Sequence, residues 1–252
     1  MTHQDYLKIE KMSKSKLSRF AENPINYDEP FQDTSATDFG SAVDCAFYTP
    51  KVFKKIYSVI DWSERPAPKY KEGQINLAWL EDKKSNAKLK GLELITSENV
   101  SRVTQIIDNL NSDEYVRNMI DKSIIHKVFE GEINGVEMKC EIDNAYKVGD
   151  NHILCDLKTI YDSNKFIARA KYEFKYRMMP YIYSELMRQS DIIIDRVEFL
   201  VVDTKTFDSQ FFIVSGDYMD MSKELVFKYL DLYKEAGRSG VWSKRIFGEQ
   251  YI

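Results

Sequence analysis

The sequence predicts a mixed α/β (α+β) fold in which a central mixed β-sheet is flanked by helices. Three observations predict it. Two glycine turns, Asn134-Gly135 and Gly149-Asp150, each separate runs of alternating polarity, which is the pattern of β-hairpins. Arg196 to Asp203 is almost continuously apolar, as a central strand covered on both faces requires. Around these strands lie segments whose apolar residues recur at helical spacing.

Taken in order, Ser13 to Ala21 places Leu17, Phe20 and Ala21 on one helical face, with Ser13 as N-cap and Asn23-Pro24 as the stop. Thr37 or Asp38 caps a second helix reaching about Tyr48 and closed by Thr49-Pro50, in which Gly40, Ser41 and Ala42 allow close approach to another backbone. Asp61 to Lys90, with Pro66, Pro68, Gly73 and many lysines, reads as a variable insert around a short helix from Gln74 to Glu81 bearing Trp79. Thr96 to Asn99 forms a capping box opening a helix through Leu110, and Asp113 to Lys122 forms the next. Ile124 to Glu132 is the first strand of the core sheet and turns at Asn134-Gly135 into Val136 to Tyr146. Phe166 to Arg188 reads as one long helix kinked at Pro180. Arg196 to Asp203 and Ser209 to Ser215 are strands joined through Thr204 to Asp208. A terminal helix, Met221 to Ala236, turns Leu225, Tyr229, Leu232 and Tyr233 to the core; Arg238-Ser239-Gly240 ends it and Trp242 anchors the tail.

The chemistry concentrates in Lys139 to Thr159, KCEIDNAYKVGDNHILCDLKT. If Gly149 and Asp150 form a two-residue loop, Val148 pairs with Asn151, and counting outward sets Asp143 opposite Asp156 and Glu141 opposite Lys158. Side chains alternate along a strand, so these four share one face, while Cys140, Ile142, Cys155 and Leu157 enter the core. Like charges facing one another in a sheet cost roughly 0.2–1 kcal/mol, so the two aspartates call for a cation. Hard oxygen ligands suit Mg²⁺ or Mn²⁺, which leave positions for water and phosphate oxygens, and Lys158 stands where it orients or deprotonates an attacking water. On these residues alone, a hairpin with a merely solvated polar face accounts for the triplet as well.

Asp143 followed by Asp156-Leu157-Lys158-Thr159 resembles the PD-(D/E)xK restriction-endonuclease-like nuclease core, with Asp at both acidic positions. Ser13 to Phe20 with Asn23-Pro24 and Tyr27 is similar to the opening of the RecE-type exonucleases of phages and prophages. Phe39 to Asp44 resembles their G-x-A-x-H helix, and Val241-Trp242 their late aromatic anchor. The resemblance covers nearly the whole chain in order. It implies a Mg²⁺-dependent exodeoxyribonuclease, Mn²⁺ also being accepted, that degrades the 5′-ended strand of linear duplex DNA and exposes a 3′ single strand for recombination by annealing.

It also implies site roles. Asp44, Asp143, Asp156 and the Leu157 carbonyl would hold the metal, Lys158 would activate water, and His126 and Glu141 would be supporting groups or further ligands. Arg177 and Tyr183 would meet DNA phosphates. Three positions depart from the family pattern: Asp44 stands where relatives carry His, His126 where they carry Glu, and Met179 in place of the Gln of Q-x-x-x-Y. These departures motivate a second reading, a weakened DNA-end-binding or partner-recruiting module; an endonuclease of the same superfamily is a third. The implied partners are duplex DNA ends, a single-strand annealing protein and further copies of the chain in a trimeric or tetrameric ring.

At 252 residues with 43% hydrophobic content, the chain is long enough for one domain spanning 1–252 with an insert at 61–90. No apolar run approaches the ~18 residues of a membrane span, and the first residues lack a signal peptide's apolar block, so a cytoplasmic protein of a phage-bearing host is expected. Cys45, Cys140 and Cys155 lack metal or disulfide spacing and read as small core residues. A net charge of −4 is unlike an open-surface DNA binder, but an enzyme that encloses DNA needs only a basic lining. Basic clusters at Lys51 to Lys55, Arg65 to Lys71, Lys83 to Lys90 and Arg169 to Arg177 read either as such a lining or as solvated helix faces.

Overall fold

The structure is a computed structural model and describes residues 3–29, 34–64, 77–121 and 123–242. Its contacts group the chain into two compact units, residues 33–114 and the remainder. The Arg65 to Lys71 cluster and Lys122 lie outside the described residues, as does the insert from residue 65 to 76.

The larger unit opens with α1 (His3–Leu7), the two-residue strand β1 (Met12–Ser13) and α2 (Lys14–Glu22). Ser13 caps α2 as expected, its Oγ accepting from Lys16 N at 3.2 Å. In the smaller unit, α3 (Ser35–Tyr48) starts three residues earlier than the sequence suggests. Thr34 and Thr37 form a reciprocal capping box there, so Thr37 acts from inside the first turn. Pro50 does not simply close α3; it opens α4 (Pro50–Ile56), a first-turn position where the missing N–H is not needed. The unit continues with β2 (Tyr57–Val59), α5 (Leu77–Leu89), β3 (Glu93–Ile95), parallel to β2, and α6 (Ser97–Ser112), capped by Thr96. The helix expected at Gln74 to Glu81 is thus longer and later, with Trp79 against Trp62 at 5.8 Å.

The chain then passes through α7 (Glu114–Ile120) and builds a long twisted hairpin. Its expected strands each divide in two: β4 (Ser123–Ile125) and β5 (Val128–Ile133) on one arm, β6 (Val136–Glu141) and β7 (Asn144–Val148) on the other. Both arms break at the same level. His126 adopts a left-handed φ of 48° and its N–H donates to the Asp143 carbonyl at 3.2 Å, while Ile142 N–H donates to the Lys127 carbonyl at 3.1 Å. The hairpin therefore stays bonded while bending from one sheet, β1-β6-β5, into a second, five-stranded sheet that takes in β7 and β4. This second sheet is mixed: β7 and β8 (Asn151–Ile160) are antiparallel, and β8 lies parallel to β9 (Ile194–Asp203). β10 (Ser209–Ile213) closes the edge.

A parallel β8–β9 pair needs a crossover, which the helices between them supply. The single long helix expected here is three: α8 (Phe166–Tyr172), α9 (Phe174–Arg177) and α10 (Met179–Arg188). Glu173 is extended, with φ −84° and ψ 124°, and Pro180 sits in the first turn of α10, so the proline starts a helix instead of kinking one. α11 (Gly216–Ser239) extends beyond the expected bounds. It is capped by Ser215 and stops at Gly240, whose φ of 69° is the left-handed conformation glycine adopts without strain.

The core of the larger unit joins α2, the hairpin, α10 and α11 through Leu17, Phe20, Met138, Ile142, Leu154, Ile182, Val226 and Leu230. Trp242 stacks on Tyr27 at 5.4 Å and meets Phe20 and Tyr233 edge-on, tying the tail to α2 and α11. All three cysteines are free thiols, Cys140 and Cys155 fully buried. Among the described residues no helix is long and apolar enough to cross a membrane.

Candidate active site

The hairpin register decides which charges meet. Val148 pairs with Asn151 and the ladder runs without slip to Asn144 and Cys155, so one further count brings Asp143 level with Asp156. Asp143 occupies the bend between β6 and β7, and its Oδ2 accepts the main-chain N–H of Leu157 at 2.9 Å. Asp156 and Lys158 lie two apart on β8, level with Phe199 and Val201 of β9, and so share a face of the best-anchored strand pair. Lys158 Nζ donates to the Leu157 carbonyl at 2.9 Å, forms an ion pair with Asp156, and stands 3.7 Å from Asp143 Oδ2. Two carboxylates, one carbonyl and one ammonium thus converge.

Burial sets their electrostatics. Asp156 is 2% exposed, and desolvation pushes its carboxyl up to about 6; Lys158 opposes that rise and Asp143 adds to it. Burial disfavours the Lys158 ammonium, but Asp156 and Asp143 outweigh it and hold the amine above its ordinary value. Lys158 is thus the cation paired with both acids, and Lys14 acts on Asp156 in the same sense. Asp156 Oδ2 is buried against the Lys158 ammonium yet, among the described residues, takes part in no well-directed hydrogen bond. Such an under-compensated pair of hard oxygen donors, with the Leu157 carbonyl alongside, fits a divalent cation that keeps several waters. Among the described residues no group of three or more His, Cys, Asp or Glu side chains gathers as a metal cluster.

The remaining sequence candidates fall as follows. Glu141 is not opposite Lys158: the bend at Ile142-Asp143 carries it into the other sheet, where it pairs with Val128. Its charge acts on Tyr6 and Cys140 after burial has raised both. His126 forms the opposing bend and meets Asp143 through its backbone N–H. Leu157 buries its side chain on the far face while its N–H and carbonyl serve Asp143 and Lys158. Asp44 lies midway along α3 in the smaller unit, where it adds to the burial-driven rise of the Cys45 thiol. Arg177 acts on Tyr218 and Tyr229 of α11, both raised by burial, so its surroundings are that helix. Tyr183 is buried behind the carboxylates; desolvation and then Asp156 push its hydroxyl well above the usual range. Met179 is a core residue of the same helix.

One residue was missed. Lys14, the first residue of α2, has its pKa lowered to about 8, by burial and then by Lys158, with Asp156 and Asp143 opposing. The sequence signal was the cation directly behind an N-cap serine, a position where the helix dipole favours the opposite charge.

A bent hairpin delivering Asp143, Asp156 and Lys158 to one face of a mixed sheet defines a member of the PD-(D/E)xK nuclease superfamily. The chain belongs to the family described as a PDDEXK-like domain of unknown function (DUF3799), which matches residues 7–250. Its fold is similar to that of a protein of Eubacterium rectale described as a candidate exonuclease, at a TM-score of 0.62 and 15% identity, over 100% of this chain and 94% of that one. The solved structure of SSO0001 aligns at a TM-score of 0.33 and 12% identity, over 87% of this chain and 83% of that one, a similarity too low to carry an argument. No curated protein matches the sequence.

Proposed function

We propose that the chain is a Mg²⁺-dependent exodeoxyribonuclease that acts on the ends of linear duplex DNA and removes the 5′-ended strand. The observation that carries this reading is the convergence of Asp143, Asp156 and Lys158, held by main-chain bonds from the same strand. Asp143, Asp156 and the Leu157 carbonyl would hold the ion, which supplies an activated water and charge neutralisation at the phosphate. The protein's own contribution is placement. Lys158 stays an ammonium between its two acids; it gives one N–H to Leu157, pairs with Asp156, and offers positive charge where the phosphate becomes more anionic. Cys155 and Leu157, buried on the opposite face of β8, leave that strand no freedom to turn. The end-acting character is supported by the resemblance of the N-terminal and C-terminal segments to RecE-type enzymes and by the candidate exonuclease of similar fold.

The test is linear duplex labelled at either 5′ or 3′ end, incubated with Mg²⁺ beside a closed circle, with Lys158→Ala as control. Progressive loss of the 5′-ended strand, absent in the variant, is expected. Cleavage of the circle would replace this reading with an endonuclease, and binding without turnover would replace it with a recruiting module.

A further inference from the structure

Lys14 is placed by the backbone. The parallel bridge pairs Ser13 with Lys139 on β6, so Lys14 comes alongside Cys140, three residues before Asp143. Behind it, Leu17 and Phe20 fix α2 in the core, and Ser18 Oγ lies 3.7 Å from Met178 Sδ, at the end of α9. The charges acting on Lys14 are Lys158, Asp156, Asp143 and Lys175, that is, the three site residues and one lysine of α9. Yet among the described residues no carboxylate lies within 4 Å of its ammonium.

Lysines with structural roles in this region look different. Lys139 gives its ammonium to the Tyr6 carbonyl at 2.5 Å and covers the Tyr6 ring at 4.2 Å, and Lys16 pairs with Asp28. Among the described residues Lys14 has no such partner; burial, the Lys158 and Lys175 ammoniums and the positive end of α2 work against its charge, while Asp156 and Asp143 favour it. The two carboxylates act on it without a direct ion pair, so an arriving anion that touches the ammonium adds compensation the site does not already supply. In a DNA nuclease that anion is a backbone phosphate, which a lysine binds as a point charge.

Resting on the nuclease reading above, we propose that Lys14 is a second substrate-touching lysine of this site, binding a non-bridging oxygen of the phosphate under attack while Lys158 remains with the carboxylates. Lys14 keeps its proton throughout, so the step it assists is one of charge placement and no bond to it forms or breaks.

The experiment compares the full chain with Lys14→Gln and Lys14→Arg by three readouts. Affinity for a short blunt DNA duplex, measured with Ca²⁺ in place of Mg²⁺ across a salt series, should lose about one unit of slope in log K against log salt in Lys14→Gln and regain it in Lys14→Arg. Single-turnover cleavage with Mg²⁺ should fall on the order of 100-fold in Lys14→Gln. Thermal unfolding of Lys14→Gln should be unchanged or higher, because a charge opposed by its surroundings has been removed. A wild-type salt slope and rate in Lys14→Gln, or a lowered unfolding temperature that accounts for the lost rate, overturns the proposal. If the wild type binds duplex but does not cut it, the nuclease reading fails while the salt slope still decides the phosphate contact. If the wild type does not bind duplex, both fail.

Discussion

Asp143 Oδ2 accepts the main-chain N–H of Leu157 at 2.9 Å, so the strand that carries Asp156 and Lys158 also aims the carboxylate that completes the pair. The two functions of Asp143, accepting that bond and supplying charge, separate by substitution. Asp143→Asn keeps an oxygen for the Leu157 N–H and removes both the repulsion of Asp156 and the attraction to Lys158, so stability should change little. Calorimetric titration should nevertheless show divalent-ion affinity falling by more than the ~10–100-fold that loss of a mere supporting partner costs. Asp143→Ala also leaves the Leu157 N–H without its acceptor, and urea denaturation should show an added loss of about 1–3 kcal/mol. Equal stability of the two variants would mean that the bond is not what positions the bend.

The Asp156 carboxyl, raised from 3.8 to about 6, reverses the usual acid behaviour of an aspartate. Between those values the folded chain holds the proton more tightly than the unfolded chain. This group therefore favours the folded state most below the lower value, loses that contribution as pH rises, and contributes a constant cost above about 6. Glu198, also raised by burial, acts in the same sense, so the comparison that isolates Asp156 is with Asp156→Asn. In the presence of a chelator, the wild type should lose stability relative to that variant as pH rises through this window; parallel stability curves would count against it. Divalent-ion binding needs the ionised carboxylate, so affinity should weaken as pH falls through about 6.

The glycine turn, the facing aspartates and the lysine beside them were legible in the sequence because each rests on a local rule. Gly149 takes a φ of 62° that few other residues tolerate, and strict alternation along β8 then dictates its faces. The bend was not legible. Residues 124–132 and 136–146 keep their alternation straight through it, and a period of two does not say which sheet a strand belongs to; only the left-handed φ of His126 marks the change. Alternation alone therefore sets Glu141 opposite Lys158, whereas the bend pairs it with Val128. The crossover misled similarly, since apolar spacing persists across Glu173 and Met178 while the backbone turns extended at Glu173, and a proline suits a first turn as well as a kink. Lys14 was hidden because a charge at a helix start reads as solvated until the fold sets it among the charges of Asp143, Asp156 and Lys158.

Gly131 on β5 lies directly beneath the Gln189 side chain at the end of α10. Gln189 accepts from Glu132 N–H at 3.0 Å and donates to the Glu132 carbonyl at 2.8 Å, so it continues the sheet edge with an amide. A Cβ on residue 131 would collide with the Gln189 amide oxygen and crowd Leu186 Cδ2 at 3.1 Å. Gly131→Ala should therefore cost about 1–2 kcal/mol in urea denaturation, the amide being expelled from both bonds. In a Gln189→Ala background the same substitution should cost clearly less. Equal cost in both backgrounds would place the strain on Leu186 instead.

Tyr146 donates to Glu198 Oε1 at 2.6 Å, and Arg196 pairs with the same carboxylate at 3.2 Å while giving a second N–H to Tyr115 at 2.8 Å. Glu198 is almost completely buried on β9 and level with Cys155, on the face of the sheet opposite Asp156. Removing one hydroxyl in Tyr146→Phe leaves that carboxylate with a single ion-pair partner, which should cost about 1–3 kcal/mol at neutral pH. Since the lost bond had favoured the ionised form, the carboxyl rises further, and the deficit should narrow as pH falls and Glu198 takes up its proton in the fold. Cleavage per folded molecule should stay at the wild-type value, because the network touches none of Asp143, Asp156 or Lys158. A variant as stable as the wild type at neutral pH, or one that loses cleavage while fully folded, would show that the two faces of the sheet are not energetically separate.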